Sequence, residues 1–144
     1  MTSTEIISYL PYSKPFLFVD EIMSVSENQI TGNYTYLPDM PFYEGHFKNN
    51  PVTPGVILTE TMAQIGVVCL GIFILNAEGA DIENVQIALT SSNIDFFKPV
   101  FPGTKVIVDG KKEYFRFNKL GCKVDMYNED LELVCRGKIA GMMK

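Results

Sequence analysis

Little in this sequence can build a metal centre or a disulfide framework. Its three cysteines, Cys69, Cys122 and Cys135, are scattered and form no CxxC pair. An odd, scattered set makes a poor zinc site and a poor cross-linked scaffold. There is only one histidine, and no carboxylate or cysteine stands at ligand spacing to it, so no metal is expected. Basic excess is missing as well. Lys and Arg number 12 against 17 Asp and Glu, a net charge of −5, which argues against a general nucleic-acid binder because neutralising phosphates takes positive charge. The opening MTSTEIISYLPYSKP has neither the basic start nor the apolar run of a signal peptide. Reduced cysteines and no leader together predict a cytoplasmic protein. No linker, low-complexity stretch or repeat divides the chain. Residues 1–144 therefore read as one domain, long enough to bury a real core.

What is present is apolar and alternates in character. Hydrophobic residues make up 47% and charged residues 20%, which favours a globular domain over disorder. From Gly55 to Ala77 the chain runs GVILTETMAQIGVVCLGIFILNA without a proline. As a helix this would be ~34 Å long, enough to cross a bilayer. Glu60 and Gln64 lie inside it, however, and a carboxylate in hydrocarbon is costly. A helix apolar nearly all round is also what a central helix covered by a sheet looks like, so no membrane span is expected.

Around that helix the sequence predicts strands. FLFVDEIMSV (16–25) and QITGNYTYL (29–37) read as a hairpin, rich in aromatic and β-branched residues. A short helix over 4–9 would start at Thr4 and close at Pro11. Residues 38–54 hold four prolines and a glycine and read as loop. After the helix, extended runs at 85–97, 105–117, 122–128 and 131–143 are separated by turn residues. The class is α+β: one antiparallel sheet with its long helix on one face, over about residues 55–77.

The chemistry gathers at the start of that helix. His46 stands in the loop GHFKNNPVTPG, 14 residues before Glu60, and Gln64 follows Glu60 by one helical turn on the same face. A lone loop histidine is often no more than a partner for backbone. A carboxylate among Ile57, Leu58, Met62, Ala63 and Ile65 is less easily dismissed, being paired, protonated or functional. Pro54-Gly55 opens the helix, where the first N–H groups lack intrahelical partners and can hold a carbonyl oxygen that gains negative charge. Such helix starts are common and need no ligand. Taken together, histidine, carboxylate and helix-start donors suit the dehydration of a 3-hydroxyacyl thioester. Neutral imidazole can take the weakly acidic C2 proton, and an acid in an apolar pocket can let the 3-hydroxyl leave as water.

The segment GHFKNNPVTPGVILTETMAQ resembles the active-site segment of the 3-hydroxyacyl-acyl-carrier-protein dehydratases. LPYSKPFLFVDEI (10–22) and FFKPVFPGTKVIV (96–108) resemble two further segments of that family. The resemblance implies a hot-dog fold, a bent antiparallel sheet wrapped round the helix. It implies His46 as base, Glu60 as acid, the Gly55 N–H as carbonyl polariser and Gln64 as support for Glu60, with Phe47 and Val56 also at the substrate. It implies no cofactor. The partners would be an acyl carrier protein and a second copy of the chain, with the active site shared across a homodimer that can build a trimer of dimers. Glutamate rather than aspartate at position 60 favours dehydration without double-bond isomerisation.

Two departures stand out: Tyr12-Ser13 where the family usually has His-Arg, and Lys48-Asn49 where it has Pro-Gly. They suggest a subgroup acting on unusual chains, such as aryl-polyene acyl groups. Lys98, Lys111, Lys112, Arg116 and Lys119 are candidates for docking an acidic carrier, although any one of them reads equally as solvated surface. The alternatives are a hot-dog acyl thioesterase and a non-catalytic acyl-binding or partner subunit.

Overall fold

The computed structural model describes residues 1–144. Its first element is α1 (Ser3–Ser8), one residue earlier than the sequence suggests. The cap is Thr2 rather than Thr4: its side chain accepts from Glu5 N–H while the Glu5 carboxylate accepts from Thr2 N–H. That reciprocal pair satisfies two donors at once, which outcompetes a single threonine further in.

Six strands follow the expected order: β1 (Glu21–Val25), β2 (Gln29–Thr35), β3 (Ile87–Phe96), β4 (Lys105–Arg116), β5 (Lys119–Tyr127) and β6 (Leu133–Met143). They form one antiparallel sheet in the order β1-β2-β4-β5-β6-β3. The first strand is shorter than the run 16–25 suggests, because Phe16 and Phe18 spend backbone groups on a side chain. Phe18 N–H donates to the Gln64 oxygen, and Phe16 O accepts from the Gln64 amide.

Between β2 and β3 lie a 3₁₀ turn (Pro41–Glu44) and the long central helix. The helix is not uniform. It runs as α2 (Gly55–Ala63), a π-helical segment (Gln64–Cys69) and α3 (Leu70–Ala77). Every residue of the π segment is buried, and the apolar helix is covered by the sheet instead of standing free. Two glycines allow that close approach. A Cβ at Gly110 of β4 would come within 2.8 Å of the Gly66 backbone, and one at Gly66 would meet Val124 of β5 at 3.0 Å. Hydrophobic residues from the helix and from the inner face of the sheet merge into one core cluster of 32 residues, among them Ile65, Leu70, Val108, Leu120 and Ile139. This is the α+β hot-dog arrangement.

One edge of the sheet is bare. Most of β3 is exposed on both faces, with only Ile87 and Ile94 half-buried, and its outer rim has no strand partner. An uncovered edge of ten residues is a template for pairing with another chain.

Candidate active site

His46 follows the 3₁₀ turn and is fixed by three hydrogen bonds. Its N–H donates to Phe42 O at 3.1 Å, its carbonyl accepts from Val52 N–H at 2.8 Å, and its Nδ1 lies 2.8 Å from the Val52 carbonyl. A carbonyl can only accept, so Nδ1 carries the proton and Nε2 of the neutral ring keeps its lone pair. The ring also stacks on Phe47 with centroids 4.1 Å apart. Below the histidine the loop is pinned to the body: Thr53 N–H donates to Val100 O, and the Tyr43 and Thr53 hydroxyls bond each other at 2.6 Å.

His46 and the helix start face the same cavity. A space of about 410 Å³ is lined by His46, Val52, Thr53, Gly55, Leu58 and the Phe96–Pro99 segment. Ile57 and Leu58 N–H both bond Pro54 O, while Gly55 and Val56 N–H have no backbone acceptor. Gly55 is tight against its neighbour, since a Cβ there would sit 3.3 Å from the Phe96 ring. Phe96 and Phe97, which line the cavity, are exposed, and so are Phe47 and Val56, the neighbours in sequence of His46 and Gly55, with Val56 at 76% exposure.

Glu60 lies elsewhere in the chain. It is five positions beyond Gly55, or about 140° further round a helix of 3.6 residues per turn, and it does not line the His46 cavity. Gln64, fully buried, holds it. The Gln64 amide donates to Glu60 Oε2 at 2.9 Å and to Phe16 O at 3.0 Å, and its own oxygen accepts from Phe18 N–H at 2.8 Å. Both N–H donors and the oxygen of Gln64 are thus engaged, which fixes the orientation of its amide. Desolvation pushes the Glu60 carboxyl above its ordinary value, and the Gln64 bond offsets part of that rise. A carboxyl raised in a half-buried setting holds its proton to higher pH than a solvated one, the direction a proton donor needs.

Two features here were not signalled by spacing. Phe16 and Phe18 supply main-chain partners, a role any side chain allows. Tyr12, one of the departures, packs beside Phe16 with rings 6.4 Å apart. Its hydroxyl is pushed up to about 12 by burial and then by the charges of Glu60 and Cys69. Tyr12 therefore stands in the field of Glu60. A second cavity of about 570 Å³ opens beyond Phe16, lined by Phe18, Tyr34, Met40, Phe42 and Ile57 among others, mostly apolar.

The basic residues do not converge on one patch of the chain. Lys98 lines the His46 cavity and pairs with Glu132 at 3.1 Å. Arg116 and Lys119 pair across the β4–β5 turn at the far end of the sheet. Between them, Lys111 faces outward and Lys112 is half-buried. No three His, Cys, Asp or Glu side chains come together as metal ligands would.

The description "FabA-like domain" matches residues 10–139 of this chain. The chain belongs to the FabA-like family. Relatives include the 3-hydroxyacyl-[acyl-carrier-protein] dehydratase FabZ of Ehrlichia canis, 34% identical over 97% of this chain and 93% of its own length. The FabZ dehydratase of Geobacter metallireducens is 32% identical over 94% and 84%. Among solved structures, the dehydratase heterocomplex ApeI:P from Xenorhabdus doucetiae superposes with a TM-score of 0.80 at 13% identity, covering 96% of this chain and 90% of that one. A thioesterase from Haemophilus influenzae gives 0.60 at 19% identity, over 86% and 77%. At these identities the solved structures show the hot-dog fold alone. Membership of the FabA-like family rests on the sequence matches.

Proposed function

We propose that this FabA-like protein dehydrates a 3-hydroxyacyl group carried on an acyl carrier protein to the trans-2-enoyl thioester. The observation that supports this best is the His46 ring. Its Nδ1 is committed to the Val52 carbonyl, so Nε2 is a free base beside the unpartnered Gly55 N–H.

In the reaction, Nε2 removes the C2 proton while the Gly55 N–H, at the positive end of the helix, holds the thioester oxygen as it gains charge. The C3–O bond then breaks, the electron pair forms the C2–C3 double bond, and the Glu60 carboxyl protonates the departing hydroxide to water. The proton on His46 returns to the Glu60 carboxylate and resets the site. Desolvation raises the Glu60 carboxyl above its ordinary value, the direction that favours the protonated, donating form. No cofactor takes part.

Because His46 and Glu60 face different sides of one helix, the complete site needs a second copy. Pairing of the bare β3 edge with its own two-fold mate would cover Phe96 and Phe97 and bring Glu60 of the other subunit to His46. The apolar cavity lined by Phe16, Phe18 and Ile57 is the space that suits an acyl chain. Such an enzyme would work in the cytoplasm alongside its carrier.

The test is mass spectrometry of a 3-hydroxyacyl carrier incubated with wild type, His46→Ala or Glu60→Ala. Loss of one water with wild type only supports the reading. Release of the carrier thiol would mark a thioesterase instead, and an unchanged carrier across several acyl chains would end the enzyme reading.

A further inference from the structure

The β4–β5 turn carries a residue its geometry does not favour. Arg116 and Lys119 close the ladder, and the two residues between them, Phe117 and Asn118, both have left-handed backbone, at φ 53° and 59°. Two-residue hairpin turns of this kind favour Asn and Gly. Asn118 fits; a bulky aromatic at positive φ is strained. Packing does not compensate, because Phe117 is 92% exposed, more than any other large hydrophobic side chain in the chain.

Its surroundings are basic. A shallow hollow is lined by Tyr114, Arg116, Phe117, Lys119 and Met142. The Arg116 guanidinium is held over the Tyr114 ring at 4.9 Å. Neither Arg116 nor Lys119 has a carboxylate partner, since the salt bridges of the chain join Lys98, Arg136 and Lys138 to Glu132, Asp125 and Glu113. In a protein of net charge −5, this is an apolar knob inside an unneutralised basic collar.

We propose that Phe117 is the apolar anchor on which the acyl carrier protein docks, with Arg116 and Lys119 meeting its acidic surface. The proposal rests on the dehydratase reading and on the shared site. Its geometry follows from the sheet. Met143 N–H donates to Asn118 O, and Met143 is the register partner of Ile87, so the turn sits at the Ile87 end of β3. His46 lies at the Phe96 end. Two-fold antiparallel pairing of β3 with itself sets the Ile87 end of one subunit against the Phe96 end of the other. The Phe117 turn of one subunit then flanks the His46 cavity of its mate, where a carrier delivering an acyl arm would rest. Charge steers the encounter, and a desolvated aromatic sets the residence time.

The experiment compares wild type, Phe117→Asn, Phe117→Leu and Arg116→Glu. Asparagine suits the backbone at this turn, so Phe117→Asn folds at least as stably, as thermal melting will show. A bacterial holo-acyl carrier protein is titrated calorimetrically into each. Turnover is followed on a carrier-borne 3-hydroxyacyl group and on its N-acetylcysteamine thioester. Phe117→Asn is expected to bind the carrier about tenfold more weakly and to raise KM for the carrier-borne substrate alone. Phe117→Leu should retain most of the affinity, and Arg116→Glu should lose the salt-sensitive part. Equal carrier binding by wild type and Phe117→Asn overturns the proposal, as does no binding to wild type. It is overturned too if Phe117→Asn alters sedimentation while carrier binding stands, because the knob then serves a second copy. If wild type turns over neither thioester, the dehydratase reading fails, and the titration still decides the role of Phe117.

Discussion

At the residue scale, the candidate site could be proposed from sequence where chemistry needs a particular side chain and not where it needs only backbone. His46, Glu60 and Gln64 could be picked out because an imidazole and a carboxylate in apolar company demand a reason. Val52, Phe16 and Phe18 could not, since they contribute a carbonyl, a carbonyl and an N–H. Glu60 also carries a cost that can be measured. Its folded-state carboxyl is raised above its ordinary value of 4.5, chiefly by desolvation. A group raised on folding stabilises the fold, relative to higher pH, while both states are protonated, and that contribution is lost as pH climbs through the folded value. Above the folded value, holding Glu60 ionised therefore burdens the fold. Glu60→Gln removes the charge and keeps an oxygen for the Gln64 amide. The variant should melt higher than wild type at pH 7, and the two should converge as pH falls below 4.5, while dehydration is abolished. A lower melting temperature for Glu60→Gln at pH 7 would show that Gln64 stabilises the carboxylate more than desolvation burdens it.

At the element scale, strand order and the central helix followed from β-branched runs and from a long apolar stretch with turn residues between them. What the pattern did not show is the π segment at Gln64–Cys69. One widened turn in an all-apolar stretch leaves no trace in hydrophobic spacing, because there is no polar face to fall out of phase. The strand expected at 16–25 starts only at Glu21, since the Gln64 side chain claims Phe16 O and Phe18 N–H. Sheet and helix meet most closely where Gly110 crosses Gly66, and a Cβ at position 110 would sit 2.8 Å from Gly66 Cα. Both partners there are backbone, which cannot turn aside as a side chain would. Gly110→Ala is therefore expected to lower stability by about 1–3 kcal/mol through overpacking. Denaturant melts would read this as a lower midpoint at unchanged slope. An unaffected midpoint would mean that the helix can lift off the sheet at little cost.

At the scale of the whole molecule, the two residues that the sequence draws together are held apart by the helix between them. Their separation of 14 positions invites a picture of one local site, yet Gly55 and Leu58 face the His46 cavity and Glu60 does not. Sequence spacing reports position along the helix and says nothing of which copy supplies the partner. The bare β3 edge and the exposed Phe47, Val56, Phe96 and Phe97 are the surface that the proposed second copy would cover. If each site draws His46 from one subunit and Glu60 from the other, a mixed dimer of His46→Ala and Glu60→Ala chains has one intact site and one doubly defective site. Equal co-expression gives half of all dimers mixed by random pairing, each with one of two sites restored, so activity should return to about a quarter of wild type. Each variant alone stays inactive. If both residues came from the same chain, every site in the mixture would carry one lesion and no activity would return. The two arrangements thus differ in whether activity appears at all, which a single turnover assay on the co-expressed mixture can decide.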